Sequence, residues 1–471
     1  MNMTILVTVL AIYFLGMIGI GWFGKKKYGT DFNTMISAGR NVGVILFIGT
    51  SVGCHIGNGF IVGGSAAGAA SGISGMWYGI ACAGAYLIVA LTVNKPIFKL
   101  GYITVPEFLQ ARYNDKFTSV IYIVTTVIAN TGICGVQIMA GKALFSALGM
   151  NGNIGAVAIA VVVLIYSSLS GLWGAFATSV VQVGVIIVGL VSTSIALLFN
   201  GAIDTIITAF NSGATPETYF EVLPGGIMTF LAMLIPIALA HMGDQCIVQR
   251  INSSKSAKVG VWGFILSSII MIPLAFLPAF VGMYGFVTFG EAALEGNSVF
   301  FSVALHALGP VIAAVLIAAV IAAIMSTIDS LMVANSTVVM NDLYRGMINP
   351  KASEKALLLG DRIVTTICTC IALLVAISAT NIIELLLSVN SFIAACVFAT
   401  FMGCLFWKGG TRMGSIASAS IGFLTVFVDL VGIVHLPYPT ITPIVLSITT
   451  YILVSLFTKA NNNTTAEGQS A

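Results

Sequence analysis

Polar side chains interrupt one long apolar stretch of the sequence, IAAIMSTIDSLMVANSTVVMNDLY at residues 321–344. Small or polar residues recur there at i, i+3 and i+4 on two adjoining faces of a helix: Ala323, Ser326 and Thr327 on one face, and Ser326, Asp329 and Ser330 on the other. A charged group at membrane depth costs at least about 2.5–3.5 kcal/mol, so Asp329 needs a partner or a wet cavity. Because oxygen atoms are the preferred ligands of small hard cations, the stretch predicts a cation site inside a membrane-crossing helix.

The composition predicts a polytopic helical membrane protein. Of 471 residues, 58% are hydrophobic and 7% are charged, and the mean hydropathy of +1.06 is far above that of a soluble domain. The net charge of +3 is too small to indicate a nucleic-acid partner. The eight cysteines lie in apolar stretches without metal-ligand spacing, which predicts reduced, packed thiols.

About thirteen apolar runs are long enough to cross a bilayer. They cover residues 3–23, 42–70, 72–98, 118–147, 152–169, 171–199, 225–243, 257–285, 310–341, 357–379, 382–406, 413–433 and 441–458. The first run has no basic residue before it and three lysines after it, so we expect a retained crossing rather than a cleaved leader.

Basic residues mark one side of the predicted membrane protein. If the N-terminus lies outside, every Lys and Arg except Lys142 falls in an inside loop or the C-terminal tail, and the opposite loops carry only acids. The positive-inside rule therefore predicts a multi-pass protein of the plasma (inner) membrane with a cytoplasmic C-terminus.

Two of the predicted crossings contain residues that interrupt helices. The second has six glycines between positions 49 and 64, around a central His55, and the seventh contains Pro236 and His241. Unwound backbone at membrane depth is tolerated where it lines a cavity. Breaks five crossings apart predict an inverted repeat with its binding site at the break. Close helix packing by small residues is the alternative interpretation of the glycines.

Six segments, in matching order, give the chain its resemblance to a known family. They are SAGRNVG (37–43), TVPEFLQARY (104–113), SGLWGAFATSVVQ (170–182), GDQCIVQR (243–250), AAIMSTIDSLMVANS (322–336) and NDLYR (341–345). On these segments the chain resembles the sodium/solute symporter family, which includes the proline, pantothenate and sodium/galactose symporters. The resemblance implies an all-α LeuT-type fold of about thirteen transmembrane helices, with a five-plus-five inverted-repeat core, one helix before it and two after it.

The same resemblance implies a division of the chain into six segments. These are a first transmembrane helix with a cytoplasmic linker (1–41), a first inverted repeat (42–199), an outer loop (200–224), a second inverted repeat (225–406), two C-terminal transmembrane helices (407–458) and a disordered cytoplasmic tail (459–471).

Carried over position by position, the resemblance also implies a sodium site. Its ligands are the backbone carbonyls of Gly53, Ile56 and Ala323 and the hydroxyls of Ser326 and Thr327. Hydroxyls that only bond back to their own helix are the alternative interpretation of such residues.

A second cation site occurs in some relatives, with an acid on the fifth core crossing. Here Ser179 stands where that acid is usual, and Asp329 stands where a hydroxyl can be. Ser179, Asp329 and Ser330 are therefore the candidate second cation site. A hydrogen-bonding role for Asp329, or a proton carried by it, remains open.

The solute should bind beside the break in the second crossing. Its candidate ligands are His55, Asn58, Gly59, Phe60, Gln137 and Asn390, with Trp77, Tyr78 and Phe230 as candidate aromatic walls. No arginine lies in a predicted crossing, which disfavours recognition of a carboxylate by a guanidinium fork.

The predicted function is that of a sodium-coupled secondary active symporter that imports a small organic solute by alternating access. Na+ is the coupling ion and no organic cofactor is expected; the partners are the solute and the lipid bilayer, with no nucleic acid and no obligatory protein partner. A proton-coupled transporter of the same fold, using Asp329 or His55, is the first alternative, and a channel or a solute sensor follows. The sequence contains no HExxH motif, paired catalytic acids or activated nucleophile, so an enzyme is not expected.

Overall fold

The computed structural model of the chain describes residues 3–28, 32–291, 299–379, 382–430 and 432–458. Helix accounts for 86% of the structure, and the described residues form no strand beyond one isolated backbone bridge. The predicted all-α class is confirmed. The predicted tail, 459–471, lies outside the described residues.

The first half of the chain forms ten α-helices. They are α1 (Met3–Tyr28), α2 (Phe32–Ser37), α3 (Val44–His55), α4 (Gly64–Ser71), α5 (Trp77–Leu91), α6 (Asn94–Leu100), α7 (Val105–Tyr113), α8 (Lys116–Ala147), α9 (Gly152–Phe199) and α10 (Ala202–Asn211). A π-helical turn, Gly59–Gly63, precedes α4.

Ten further α-helices make up the second half. They are α11 (Ile227–Gly243), α12 (Gln245–Ser253), α13 (Ala257–Phe289), α14 (Val299–His306), α15 (Pro310–Thr337), α16 (Glu354–Ser378), α17 (Ile382–Ile393), α18 (Ala399–Phe406), α19 (Arg412–Leu430) and α20 (Thr442–Phe457). A π-helical segment, Val338–Ile348, continues α15.

Eight helices among the described residues are long and apolar enough to cross a membrane, or nine if α11 and α12 form one bent crossing. Four more apolar helices are shorter: Thr4–Ile20, Val44–His55, Gly152–Val162 and Thr442–Phe457. The chain is thus a multi-pass helical membrane protein, and the count of thirteen crossings stays a prediction.

Two predicted boundaries differ from the structure. Residues 152–199 form one helix of 48 residues, so the expected division at 169–171 is not a helix end. The expected interruption at Pro236 is also wrong, because α11 runs through this proline to Gly243. The chain instead bends by 53° between α11 and α12, at Asp244.

Helix α15 forms the centre of the protein. In its most apolar window 83% of the residues are buried, a larger share than in any other candidate crossing. It contacts α1, α3, α8, α9 and α16. The polar stripe of the sequence therefore lies in the protein interior rather than against lipid.

A backbone bridge joins the residues just before α3 to the residues just after α12. The Val42 N–H donates to the Ser253 carbonyl at 3.0 Å, and the Lys255 N–H donates to the Val42 carbonyl, also at 3.0 Å. This bridge ties the residues before α3 to the end of α12.

Close backbone packing holds the second part of the glycine-rich crossing. A Cβ placed on Gly282 of α13 would lie 1.9 Å from the Ser65 carbonyl oxygen of α4, and one on Gly68 would lie 2.4 Å from the Ala279 carbonyl oxygen. Glycine at these positions lets α4 and α13 approach at backbone distance.

This packing predicts that Gly282→Ala lowers thermal stability. The added methyl group meets backbone that cannot rotate away, and overpacking of this kind costs about 1–3 kcal/mol. Gly184→Ala is the matched control, because a Cβ there has nothing within 4 Å and alanine favours helix by about 1 kcal/mol. Unfolding midpoints of the two purified variants should move in opposite directions; equal midpoints would contradict the packing argument.

Candidate functional site

The helix break predicted from the glycine pattern lies after His55. Helix α3 ends there, Ile56 takes φ −82° and ψ 63°, and regular helix resumes only after Gly63. The glycine-rich composition explains the interruption, since glycine is a poor helix former and leaves no side chain to pack. A break at this depth frees backbone groups that need partners.

Helix α8 supplies partners for the backbone at the break. The Asn58 N–H donates to the Gln137 side-chain oxygen at 2.7 Å. The Asn58 side chain donates in turn to the Val136 carbonyl at 2.5 Å. These two bonds fix the start of the π-helical turn against α8.

Three carbonyl oxygens converge on the hydroxyl of Thr327 in α15. Its Oγ1 lies 3.0 Å from the Cys54 carbonyl, 3.0 Å from the Ala323 carbonyl and 3.5 Å from the Gly53 carbonyl. A threonine hydroxyl has one proton and can satisfy only one of these acceptors at a time. The surplus of oxygen lone pairs fits a hard cation, which takes carbonyl and hydroxyl ligands.

A pair of serine hydroxyls adjoins this carbonyl cluster. Ser179 Oγ lies 2.8 Å from Ser326 Oγ and 2.7 Å from the Ala175 carbonyl. Both serines are buried. Because Ser179 donates its proton to Ala175, Ser326 is the donor between the serines and keeps a lone pair for another ligand.

Gly53 lies between these two groups. A Cβ at this position would be 2.4 Å from Ser326 Oγ and 3.3 Å from the Ser179 Cβ. The predicted ligands Gly53, Ala323, Ser326 and Thr327 are thus brought together, and Ile56 lies buried three residues further on, at the break. The sequence did not single out the Cys54 carbonyl, because no pattern marks a backbone acceptor whose partner is more than two hundred residues away.

One of the predicted second cation residues, Ser179, belongs to the serine pair, and the other two lie on α15 after Ser326. Ser179 contacts Ser326 directly, whereas the Ser330 hydroxyl donates back to the Ser326 carbonyl at 3.2 Å. Asp329 is buried on the same helix, one turn from Ser326. The structure therefore joins Ser179 to the first cluster and buries Asp329 one turn along α15 from Ser326.

A cavity of about 50 Å³ lies next to the break. Its lining residues come from α3, α5, α8, α11, α12, α15 and α17 and include Cys54, His55, Gly57, Gly59, Phe60, Tyr78, Ile133, Gln137, His241, Asp244, Cys246, Thr327, Leu331, Leu386, Asn390 and Ile393. Thr327 thus contacts both the carbonyl cluster and the cavity.

Most of the predicted solute ligands line this cavity. His55, Gly59, Phe60, Gln137 and Asn390 do so, as does the predicted aromatic wall Tyr78. Asn58 is fully buried and turned toward α8 instead. Trp77 and Phe230 pack on each other, with ring centroids 4.5 Å apart, and do not belong to the lining.

The bend between α11 and α12 brings further polar residues into the cavity. His241 lies with its ring centroid 4.4 Å from that of His55, and Asp244 caps α12 by accepting the Ile247 N–H at 3.0 Å. The sequence argument assigned neither to the site. The available signal was the acidic residue in the GDQ segment, which follows the predicted seventh crossing directly.

Arg250 lies in the predicted inside loop between the seventh and eighth crossings, and the structure buries this loop segment as α12. All nine residues of α12 are buried, and Arg250 is 1% exposed. Its Nε donates to the Thr50 hydroxyl of α3 at 3.2 Å, and its two terminal nitrogens have no hydrogen-bond partner among the described residues. The interior therefore holds a guanidinium, behind the cavity rather than in its lining.

Comparisons with known proteins agree on one family and one fold. Residues 35–422 match the family model described as the Sodium:solute symporter family. The chain is 27% identical to the high-affinity proline transporter PutP of Bacillus subtilis, over 94% of this chain and 96% of the relative. It is also 27% identical to sodium/proline symporter 2 of Staphylococcus saprophyticus, over 96% and 92% of the two chains.

Two solved structures share the architecture. A Na+-coupled sialic acid symporter in a substrate-bound outward-open state matches with a TM-score of 0.79 and 18% identity, over 97% of this chain and 98% of that one. Mhp1, a nucleobase-cation-symport-1 family transporter in a closed conformation, matches with a TM-score of 0.58 and 14% identity, over 89% and 92%. The first likeness indicates a LeuT-type fold for the chain.

The hydrogen bond from the Asn58 N–H to Gln137 predicts that Gln137→Leu destabilises the backbone at the break. Removing the side-chain oxygen leaves the Asn58 N–H buried without its acceptor, which costs about 1–3 kcal/mol. Hydrogen exchange of a peptide that covers residues 52–66 should accelerate and the unfolding midpoint should fall. Gln182→Leu is the control, because it also removes a buried glutamine but takes no acceptor from a backbone amide. Equal exchange in both variants would show that Gln137 does not hold the break.

Proposed function

Because the chain belongs to the sodium:solute symporter family, we propose that it imports a small organic solute together with sodium by alternating access. Its matched relatives are transporters rather than enzymes, and they support sodium as the coupling ion. The observation that carries the proposal is the convergence of three carbonyl oxygens on Thr327, where the broken crossing meets α15.

In this proposal the sodium ion is held by the carbonyls of Gly53, Ile56 and Ala323 and the hydroxyls of Ser326 and Thr327, with the Cys54 carbonyl as a further oxygen. These groups belong to two different elements, α3 with its break and α15. An ion that attracts both sets of oxygens favours the arrangement in which the two elements are close together. Each elementary charge that crosses the membrane is worth about 2.3 kcal/mol per 100 mV, which can drive solute accumulation.

The solute is proposed to bind in the cavity beside the break. His55, Gly59, Phe60, Gln137 and Asn390 line it, and Thr327 connects it to the carbonyl cluster. Ion and solute would therefore stabilise the same arrangement of the break, which couples their binding. The proline transporters among the relatives make a small amino acid one candidate class.

The proposal also includes the number, arrangement and orientation of the membrane crossings. It comprises thirteen crossings in a five-plus-five arrangement, with repeats at 42–199 and 225–406, although residues 152–199, where two crossings are predicted, form one continuous helix. Each predicted run overlaps a described apolar helix. The distribution of Lys and Arg supports an outside N-terminus and a cytoplasmic C-terminus in the plasma membrane.

Ser179, Asp329 and Ser330 are proposed as a second cation site. The contact between Ser179 and Ser326 supports a position beside the first proposed site, and buried Asp329 would supply the charge. Proton coupling through Asp329 or His55 is the second candidate mechanism, favoured by the position of His55 in the cavity lining.

The sodium site predicts that Thr327→Val and Ser326→Ala weaken sodium binding. Loss of one oxygen ligand worth about 1.4 kcal/mol raises the half-maximal sodium concentration about tenfold. The readout is the sodium-dependent rise in unfolding midpoint of the purified protein, compared with choline, which requires no knowledge of the solute. Ser267→Ala is the matched control, because its buried hydroxyl bonds, within the described part of the chain, only to Gly263 of its own helix. Identical sodium curves for all three variants would contradict the site.

The second site predicts that Asp329→Asn binds one sodium ion fewer than the parent protein. Calorimetric titration with sodium counts the ions directly, and Asp361→Asn, a carboxylate on α16, should keep the parent number. An unchanged count in Asp329→Asn would exclude the second site. Solute uptake driven by a pH gradient in sodium-free buffer would support the proton-coupled alternative.

A further inference from the structure

Two cysteine side chains from separate elements meet at the edge of the cavity. Cys54 lies in the last turn of α3, beside the break, and Cys246 lies in the first turn of α12, beside the bend. Their side chains interact with each other, and both are free thiols. The pair therefore connects the two places near the cavity where the chain departs from straight helix.

The residues around the two thiols account for their pairing. Thr50 and Cys54 are four residues apart in α3, and Cys246 and Arg250 are four residues apart in α12, so each pair lies on one face of its helix. The Arg250 Nε donates to the Thr50 hydroxyl at 3.2 Å. One turn further along each helix, the same faces bring Cys54 toward Cys246. The pairing thus follows from helix geometry rather than from the chance approach of two flexible side chains.

A third helix holds one of the sulfur atoms in place. The Cys246 thiol donates to the Ser330 carbonyl of α15 at 3.4 Å. Cys246 is 4% exposed and Cys54 is 5% exposed. Both sulfur atoms are therefore kept inside the protein, on the side of their helices that faces the cavity.

A small molecule has access to this thiol pair through the cavity. Both cysteines line the space of about 50 Å³. A water-sized molecule needs at least about 10–15 Å³ of such space, so the cavity admits a molecule as small as hydrogen peroxide. Cys134 and Cys368 form a second pair of neighbouring buried thiols, but neither belongs to the cavity lining. Access therefore distinguishes the first pair from the second.

We propose that Cys54 and Cys246 are a modification site, an oxidisable dithiol that a small hydroperoxide converts to a disulfide. In the first step one sulfur, as its thiolate, attacks a peroxide oxygen. The O–O bond breaks, a sulfenic acid forms, and the departing hydroxide takes up the proton that the thiol lost. In the second step the other sulfur attacks the sulfenic sulfur, so that the S–S bond forms and the S–O bond breaks. Two thiols lose two electrons and two protons, and one hydrogen peroxide becomes two molecules of water.

The disulfide has a consequence for the neighbouring carbonyl cluster. Its S–S bond is about 2.05 Å long, shorter than any contact between unbonded sulfur atoms, so oxidation draws the end of α3 toward α12. The carbonyl of the same Cys54 lies 3.0 Å from Thr327 Oγ1. Movement of this residue therefore disturbs the oxygen cluster that we propose for sodium. Only this consequence rests on the proposed function, because the dithiol itself requires no ion.

The direct test is to find the cross-link. The purified full-length protein is treated with hydrogen peroxide, its remaining thiols are blocked, and its peptides are identified by mass spectrometry. The expected main disulfide joins the Cys54 and Cys246 peptides, with the loss of two hydrogen atoms, and dithiothreitol separates them. A Cys134–Cys368 link should be absent. If both thiols survive treatment that oxidises the exposed Cys370, the proposal is wrong.

Single-thiol variants test the pairing. Cys54→Ser and Cys246→Ser each remove one sulfur with little change in volume, so the remaining thiol should stop at the sulfenic acid, which dimedone traps. Cys134→Ser is the matched control, because it also removes a buried thiol that has a thiol neighbour, and it should cross-link as the parent protein does. A disulfide from Cys54 to any other cysteine in the parent protein contradicts the pairing.

The effect on sodium is measured separately from the cross-link. The sodium-dependent rise in unfolding midpoint, compared with choline, should be lost after oxidation of the parent protein and should return with dithiothreitol. In Cys246→Ser, peroxide should leave the rise as it was before treatment. A rise that persists in the cross-linked protein refutes the effect on the cluster. If the reduced parent protein shows no rise in sodium, the proposed function fails, whereas the peptide analysis still decides the dithiol site.

Discussion

Backbone groups inside a bilayer must find partners within the protein, and this constraint organises the centre of the molecule. A crossing that stops being helical at Ile56 exposes amides and carbonyls where no water is available. Gln137 on α8 accepts a hydrogen bond from the Asn58 N–H, and the Thr327 hydroxyl on α15 contacts the Cys54 carbonyl. Three carbonyls for one hydroxyl proton leave an electron-rich pocket. The break is therefore the point at which its helix is weakest, and it is also where we propose that a cation binds.

Several neighbouring elements contribute residues to the region around this break. Helix α13 approaches α4 through glycine, α9 contributes Ser179 to the serine pair, and the α11–α12 bend carries His241 and Asp244 to the cavity. The lining thus comes from both halves of the chain. A site assembled in this way is complete only when several helices hold their relative positions, which is what ligand-dependent closure requires.

Local composition explains which features could be predicted from the sequence. Six glycines around His55 lower helix stability at one point, and the i, i+3, i+4 spacing places Ser326 and Thr327 on the buried face; both follow from properties of adjacent residues. The amide partner of the break could not be predicted, because Gln137 lies 79 residues from Asn58 and meets it only through packing. The burial of Arg250 could not be predicted for a related reason: the sequence assigns it to an inside loop, and only tertiary packing shows that α12 is buried. Composition alone also put the interruption at the wrong residue, since α11 continues through Pro236 and the chain bends at Asp244.

The short bridge between Val42 and the Ser253–Lys255 segment has a mechanical consequence. Two reciprocal backbone bonds, each 3.0 Å long, join the entrance of the broken crossing to the exit of α12. If the start of α3 moves, the backbone bridge moves the end of α12 with it, with no side chain between them. The bridge thus joins α3 and α12 at one end of each helix. At their other ends, Cys54 and His55 of α3 and Asp244 before α12 line the cavity. Because residues on both segments line the cavity, a concerted movement of the two would change the shape of the cavity from two sides at once.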